Sequence, residues 1–421
     1  MSGPQPCLAE AFATAMDRVG PFEPHPALAV AVSGGADSLA LSLLARDWAS
    51  QRDGATLALV VDHGLRPESA DEARLTIERL AGLGIAARLL KLTNLARGPA
   101  LAERARIQRY AVLTEACREA GILHLLLGHH AADQAETLAM RVLRNSQTHG
   151  LAGMPPVRET PCLRLLRPLL GVQPTALRDF LRERGLAWVE DPSNQDKRAL
   201  RARLRYGLAA QPGAEPELAA AIMAAGRLRA REEAETAIEL ARRTTIRPEG
   251  FALFSPGRIA PAALSRVVRT IGGLPYPASP NQINDLAAQP GPATLAGVRI
   301  MPAGALGQGW LVVREEASVM EPVAAEPNTI WDRRFRLLGR CPDGATIGKL
   351  GPDAARFRRH SRLPSSVLRT LPALRVGKVL VAVPHLGYVS HEHDAQVIVL
   401  FSPNVPAAGP CWLPTLQVGC V

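Results

Sequence analysis

The sequence predicts an α/β fold: a doubly wound parallel sheet in about the first 205 residues, a helical central domain, and a small C-terminal α/β or β-rich domain. Two observations support this prediction. Short apolar runs, typical of buried strands, alternate with longer segments of helical periodicity. Polar clusters also follow three of these runs, as expected where parallel strands end beside a ligand site.

The strand pattern comes first along the chain. Apolar runs at 27–32, 57–61, 85–90 and 122–127 are predicted strands, and helical segments such as 71–83 and 100–120 lie between them. Parallel strands joined through helices form right-handed crossover units whose strands end at one edge. We therefore expect three polar segments to meet at that edge: SGGADS (33–38), VDHGLR (61–66) and GHHAADQAET (128–137).

Two Pro- and Ala-rich stretches divide the rest of the chain. QPGAEPE (211–217) and EPVAAEPN (321–328) are predicted linkers. They separate an N-terminal catalytic domain (1–210), a mostly helical central domain (214–320) and a C-terminal domain (329–421). The last domain carries the β-like runs KVLVAVPHLGYV (378–389) and VIVLF (397–401).

Composition excludes several protein classes. The chain has 421 residues, 47% of them apolar and 21% charged, and it lacks an apolar run near the ~20 residues of a membrane span. No secretory signal is visible at the N-terminus, so we expect a cytoplasmic protein without membrane attachment. The six cysteines include no C-x-x-C pair, which argues against a zinc ribbon or an iron–sulfur site.

The charge is strongly basic. Net charge is +10, and because only four of the 49 basic residues are lysines, the remaining 45 are arginines. Mutational bias in a GC-rich genome would produce this skew. A basic surface rich in arginine forks also favours a polyanionic partner such as nucleic acid.

The segment SGGADS (33–38) has the features of an anion-binding turn. Glycines let backbone N–H groups approach a ligand closely, serines add hydroxyl donors, and a helix N-terminus carries partial positive charge. No Lys follows the second glycine, so this is not a Walker loop. Asp37 either stabilises the first helical turn or, beside phosphates, implies a bridging Mg²⁺.

The turn S-G-G-x-D-S resembles the pyrophosphate-binding loop of the N-type ATP pyrophosphatases (PP-loop enzymes). Within that superfamily the chain is similar to the tRNA(Ile)-lysidine synthetases. The stretches that carry this similarity are VDHGLRPESADEA (61–73), LAERARIQRY (101–110), LGHHAADQAET (127–137), GLAGMPP (150–156), RPLL (167–170) and WVEDPSNQD (188–196).

The resemblance implies a ligase with an adenine nucleotide alpha hydrolase-like fold. Such an enzyme uses ATP and Mg²⁺ to adenylate the C2 carbonyl of the wobble cytidine in the CAU anticodon of an isoleucine tRNA. The amine of L-lysine then displaces AMP. The central and C-terminal domains would bind the tRNA; the oligomeric state is left open, a homodimer being one option.

The resemblance also implies roles for individual residues. Five residues of the loop would bind ATP phosphates, with Asp37 also holding Mg²⁺: Ser33, Gly34, Gly35, Asp37 and Ser38. Asp62 and His63 would line the nucleotide pocket. The alternative for these two is a simple strand-end cap.

Asp133 and Glu136 lie three residues apart, and therefore on one helix face. They are predicted catalytic residues that meet the cationic lysine or order Mg²⁺; helix capping is the alternative. A carboxylate, His129 or His130 would take a proton from the reacting amine. The alternative for both histidines is strand-end packing.

Two arginine groups are predicted to contact RNA. Arg104 and Arg106, with Arg109, recur on one helix, where a solvated face is the alternative. Arg201, Arg203 and Arg205 resemble the family's arginine-rich stretch near the tRNA and the catalytic site, so Arg205 is also predicted to be catalytic.

Some positions depart from the family pattern. Ala132 replaces a second acid, Asn145 and Gln147 lie in a loop that is usually glycine-rich, and Ala202 replaces an asparagine.

Two other functions stay open. One is a PP-loop tRNA thiolase, which the scattered cysteines disfavour. The other is a non-catalytic, nucleotide-regulated RNA-binding protein.

Overall fold

The computed structural model describes residues 7–64, 69–92, 98, 101–143, 153–160, 162–189, 214–390 and 396–408. The chain forms two compact units. One contains the described residues up to Arg231, and the other contains those from Glu232 onward.

The first unit is built on a six-stranded sheet in the order β3-β2-β1-β4-β6-β5. All neighbouring strands are parallel except β5, which runs antiparallel to β6. Its strands are β1 (Ala27–Val32), β2 (Ala55–Asp62), β3 (Ala86–Lys91), β4 (His124–Leu126), β5 (Val157–Glu159) and β6 (Arg164–Leu166). The chain builds outward from β1 to β3 and then continues on the other side of β1 with β4. The strand order therefore reverses between β1 and β4, which is where open sheets of this kind bind ligands.

Helices cover both faces of this sheet. They are α1 (Leu8–Val19), α2 (Ala36–Ser50), α3 (Ser69–Gly82), α4 (Leu101–Glu119), α5 (Ala131–Leu143) and α6 (Pro174–Arg182). Successive residues of β1 point to opposite faces. Leu28 and Val30 join the core with α1, α2 and α6, while Ala29 joins the core with α4. The predicted doubly wound sheet is confirmed.

Helix α7 (Ala214–Arg243) begins inside the stretch 211–217 that was predicted to be a linker. The linker prediction is wrong from Ala214 onward. Pro216 does not prevent the helix, because the first turn of a helix has N–H groups without intrahelical partners and tolerates proline.

The central segment continues with two helices and a five-stranded antiparallel sheet in the order β7-β8-β11-β10-β9. Its elements are β7 (Thr244–Arg247), β8 (Phe251–Phe254), α8 (Pro261–Gly272), α9 (Pro280–Ala288), β9 (Ala293–Leu295), β10 (Val298–Pro302) and β11 (Trp310–Arg314). The sequence predicted mostly helix here, and the three helices α7–α9 are accompanied by this sheet. The strands are only three to five residues long, so their alternation of buried and exposed residues is hard to see in the sequence.

The C-terminal segment is β-rich, as predicted. Two further sheets have the orders β12-β15-β16-β17-β18 and β13-β14-β19. The elements are β12 (Val323–Ala324), β13 (Ile330–Trp331), β14 (Phe335–Arg340), β15 (Ala345–Lys349), α10 (Ser365–Leu368), β16 (Pro372–Val376), β17 (Val379–Val383), β18 (Tyr388–Val389) and β19 (Gln396–Phe401). The strand β12 lies inside the second predicted linker.

The central and C-terminal segments share a hydrophobic core. Leu311 and Val313 of β11 pack with Leu350, Val367 and Leu371 of the C-terminal segment. Both segments therefore belong to one compact unit, and the division into three domains stays a prediction. Of the residues covered by the structure, no helix is long and apolar enough to cross a membrane.

Candidate active site

The SGGADS loop joins β1 to α2 at the sheet edge where the strand order reverses. Gly34 has φ +83°, a conformation that residues with a side chain rarely adopt. A Cβ atom at this position would also lie 2.6 Å from the Thr76 hydroxyl oxygen of α3. Both the backbone conformation and the closeness of α3 therefore require glycine here.

The serines of the loop hold its shape. The Ser33 backbone N–H donates to the Ser38 hydroxyl oxygen (3.2 Å), and the Ser38 hydroxyl donates to the Gly35 carbonyl (3.0 Å). Gly35 caps α2, so the first N–H groups of a 15-residue helix open at this edge. The Val189 N–H, from the WVEDPSNQD stretch, donates to the Gly34 carbonyl (3.0 Å). Together these features form a turn that suits phosphate oxygens.

His130 links this loop to α5. Its Nε2 atom lies 3.5 Å from an Asp37 carboxylate oxygen and 3.6 Å from an Asp133 oxygen. The His130 backbone N–H also donates to Asp133 (3.0 Å), so Asp133 caps the start of α5 as well as facing the site. The acid of the loop and the acid of the helix thus flank one buried imidazole.

Buried polar atoms without a hydrogen-bond partner among the described residues lie at this edge, and they include Asp37 Oδ1, His129 Nδ1 and Arg167 Nε. Buried polar groups are nearly always paired in a folded protein. Their concentration at one edge indicates a place built for a ligand. A free carboxylate oxygen also suits Mg²⁺, which prefers oxygen ligands.

His129 is held neutral. Burial, reinforced by the positive charge of Arg167, lowers the pKa of His129 from 6.5 to about 4. Arg106 and Arg109 act in the same direction, and Asp133 opposes them. At neutral pH this imidazole therefore carries no charge and keeps one nitrogen able to accept a proton.

Glu136 is buried, with 3% of its surface exposed, one turn beyond Asp133. Gln134, which lies between these two acids in the sequence, forms two hydrogen bonds with the backbone of Met154. Its Nε2 donates to the Met154 carbonyl (3.0 Å), and its Oε1 accepts from the Met154 N–H (2.6 Å). Arg141 donates to the neighbouring Gly153 carbonyl (2.8 Å). Helix α5 is thereby fixed against this loop.

Asp62 ends β2, next to β1. Its carboxylate accepts hydrogen bonds from the Ser69 hydroxyl and from the Gly64 N–H (2.9 Å). The Ser69 bond, ahead of other effects, lowers the pKa of Asp62 below its ordinary value. The strand-end cap considered for Asp62 is present, and a nucleotide-binding role for Asp62 and the half-buried His63 stays a prediction.

Arg104 and Arg106 lie on α4. The Arg106 guanidinium lies 5.3 Å from the Tyr110 ring centre and the Arg109 guanidinium 5.9 Å from it. A terminal nitrogen of Arg104 lies near Gly98, 3.9 Å from where a Cβ atom on that residue would be. Tyr110 also hydrogen-bonds Arg167, so α4 brings cationic groups to the same edge.

Two participants were not selected from the sequence: Arg167 and Tyr110. Arg167 directly follows β6, the parallel neighbour of β4, and a charged residue after an apolar run was the available signal.

Several predicted residues lie outside the described residues: Arg201, Arg203, Arg205, Asn145, Gln147 and Ala202. Ala132 lies in the first turn of α5. Within the described ranges, no group of three or more His, Cys, Asp or Glu residues could hold a metal ion alone.

Comparison with known proteins gives the family. Residues 8–211 match the model of the PP-loop domain family. A tRNA(Ile)-lysidine synthase of Ruegeria pomeroyi is 36% identical over 383 residues, covering 87% of this chain and 90% of the relative. The Mesorhizobium japonicum protein of the same name is 34% identical over 87% and 85% of the two chains. The one from Novosphingobium aromaticivorans is 40% identical over 66% and 86%. The loop, the sheet and these relatives together show that the chain belongs to the tRNA(Ile)-lysidine synthase family of PP-loop proteins.

Proposed function

We propose that this protein is an ATP-dependent ligase that joins lysine to C2 of the wobble cytidine in the CAU anticodon of an isoleucine tRNA. The product is lysidine, formed through an adenylated tRNA. The observation that carries this proposal is the meeting of the SGGADS loop with α5, where Asp37 and Asp133 flank His130. Membership of the family supplies the reaction.

In the first step the C2 carbonyl oxygen attacks the α-phosphorus of ATP, and pyrophosphate leaves. Ser33, Ser38 and the N–H groups at the start of α2 would bind the departing phosphates. Asp37 would hold Mg²⁺, through the buried oxygen that lacks a partner among the described residues. The ion, when bound, neutralises charge that builds up on the phosphates.

In the second step the lysine amine attacks C2, the C2–O bond to AMP breaks, and the amine loses its extra proton. Asp133 and the buried Glu136 would receive the cationic lysine, because a charge entering a desolvated site needs a counter-charge. The neutral His129 would offer, for hydrogen bonding near the reacting groups, a nitrogen that has no partner among the described residues. A carboxylate of the pair would take the proton.

The tRNA would be held mainly by arginines. Arg104 and Arg106 on α4, and Arg201, Arg203 and Arg205 farther along the chain, are proposed to contact its backbone. The central and C-terminal segments are proposed to bind the tRNA body. A cytoplasmic location and the oligomeric state stay predictions.

The test is mass spectrometry of nucleosides after incubation of the protein with ATP, Mg²⁺, isotope-labelled lysine and the CAU tRNA. We expect the wobble cytidine to gain one labelled lysine. The same tRNA with uridine at the wobble position is the control and should stay unmodified. If sulfur instead of lysine is incorporated when a sulfur donor is present, the protein is a thiolase; ATP binding without any tRNA product would indicate a non-catalytic RNA-binding protein.

A further inference from the structure

Arg167 is a buried cation at the candidate site. It follows β6, and the Leu127 N–H donates to the Leu166 carbonyl (2.9 Å), so Arg167 stands beside the GHH segment that leads into α5. Only 5% of its surface is exposed. Its positive charge acts on the half-buried His129.

The known contacts of Arg167 do not neutralise it. One terminal nitrogen donates to the Pro155 carbonyl (2.8 Å), and Tyr110 shares a hydrogen bond with the guanidinium. Within the described part of the chain, the buried Nε has no hydrogen-bond partner and no carboxylate forms an ion pair with Arg167. Buried charges are normally paired, and an arginine keeps its charge at any working pH.

The surroundings strengthen this positive field. Arg106 and Arg109 lie over Tyr110. The charge of Arg106 acts on both Arg167 and His129, that of Arg109 acts on His129, and that of Arg158 on β5 acts on Arg167. Several cations gathered around a buried guanidinium attract an anion. Arginine presents its donors as a planar fork that matches a carboxylate.

We propose that Arg167 determines specificity for the carboxylate of the incoming amino acid. This rests on the proposed function, in which Asp133 and Glu136 receive the ammonium end of lysine. A free amino acid carries both charges. Helix α5, which holds the two acids, follows β4, and Arg167 directly follows β6, the parallel neighbour of β4. The site then binds both the ammonium group and the carboxylate of lysine, and amines without a carboxylate are poor substrates.

The experiment compares L-lysine with L-lysine amide, which replaces the carboxylate by a neutral group of similar size. For each, AMP release is followed with the CAU tRNA and ATP, and kcat/KM is measured on the same protein preparation. We expect the wild-type protein to prefer the acid by roughly 10- to 100-fold, the value of a charge-assisted hydrogen bond. The preference is the ratio of the two kcat/KM values. A lower fraction of folded protein reduces both values equally and therefore does not change the ratio.

Three variants decide the matter. Arg167→Met should bring the preference to within about threefold, while Arg167→Lys, which keeps the charge, should retain part of it. Arg118→Met removes an exposed guanidinium from the last turn of α4, where it pairs with Glu115, and should leave the preference unchanged. A purely structural Arg167 would slow both substrates equally, with the preference intact, and that result would overturn the inference.

Two further outcomes also count against it. If Arg167→Met raises the KM for tRNA or ATP and leaves the acid-to-amide preference unchanged, the anion bound there is a phosphate. If the wild-type protein uses neither amine, the proposed function and this inference both fail. If it uses both equally well, only the inference fails.

Discussion

At the scale of single residues, Asp37 is the side chain on which the proposed chemistry depends most. Its Oδ1 atom is buried without a hydrogen-bond partner in the described structure, so removing the carboxylate breaks no hydrogen bond of that atom. We expect Asp37→Ala to lower pyrophosphate release by at least roughly 100-fold. The melting temperature should stay nearly unchanged.

Asp47 provides the matched control on the same helix. It is half-exposed and pairs with the adjacent Arg46, so Asp47→Ala should change neither pyrophosphate release nor the melting temperature. A large drop in the melting temperature for Asp37→Ala alone would show that Asp37 has a structural role.

His129 links the site to stability through pH. Its pKa is about 4 in the folded protein and 6.5 ordinarily, so between these values the unfolded chain binds the proton more readily. Stability should therefore rise with pH from about 4 to 6.5 and level off above. His129→Gln should reduce this rise, measured as the free energy of unfolding in urea at several pH values. An identical pH dependence in the variant would contradict the low pKa.

At the scale of elements, hydrogen bonds from α5 to the backbone of Gly153 and Met154 fix the helix that holds Asp133 and Glu136. Gly153 has φ +61°, and a Cβ atom there would lie 2.5 Å from the Gln134 oxygen that binds Met154. Gly153→Ala should cost about 2–4 kcal/mol, from backbone strain and up to two weakened hydrogen bonds. Urea denaturation measures this cost.

Gly185 supplies the comparison. It follows α6 with φ +64°, and nothing lies within 4 Å of an added Cβ atom. Gly185→Ala should therefore cost only about 1–2 kcal/mol of backbone strain. Equal costs for the two variants would mean that the Gln134 contact contributes nothing.

At the scale of the whole molecule, the second unit is held by a buried ion network. Asp332 is fully buried and binds Arg314 (3.2 Å) and Arg334 (2.6 Å). Burial lowers the pKa of Arg334 to about 10, which shows how costly its charge is in that position. Asp332→Ala leaves two buried guanidinium groups without their carboxylate and should cost about 3–5 kcal/mol in the free energy of unfolding.

Asp353 pairs with Arg375 at 2.8 Å in a more exposed position. Asp353→Ala should cost at most about 1 kcal/mol, because water screens such pairs. If both aspartates proved equally dispensable, the buried network would not be what stabilises this unit.

Because the net charge is +10, we expect the affinity for tRNA to depend strongly on salt concentration. Each neutralised phosphate releases counter-ions, so the logarithm of the tRNA association constant should fall against the logarithm of salt concentration by about 0.7–0.9 per contact. Filter binding or fluorescence titration over a series of salt concentrations gives the slope. A flat response would remove the argument from charge.

Much of this architecture could be predicted from the sequence because it is local. The apolar runs of β1 and β2, the glycines of SGGADS and the acids of α5 are each visible within a few residues. Arg167 and the bridging position of His130 depend on contacts between distant segments, which no local pattern records. The short strands of the central sheet were missed because three to five residues carry little periodicity.

The most direct test of the account is pyrophosphate release from ATP by the purified protein with Mg²⁺, with and without the CAU isoleucine tRNA. Adenylation precedes the attack of lysine in this account, so we predict that pyrophosphate appears when the tRNA is added, even without lysine. If the cognate tRNA never elicits pyrophosphate, the SGGADS loop does not activate a nucleobase and the account is wrong.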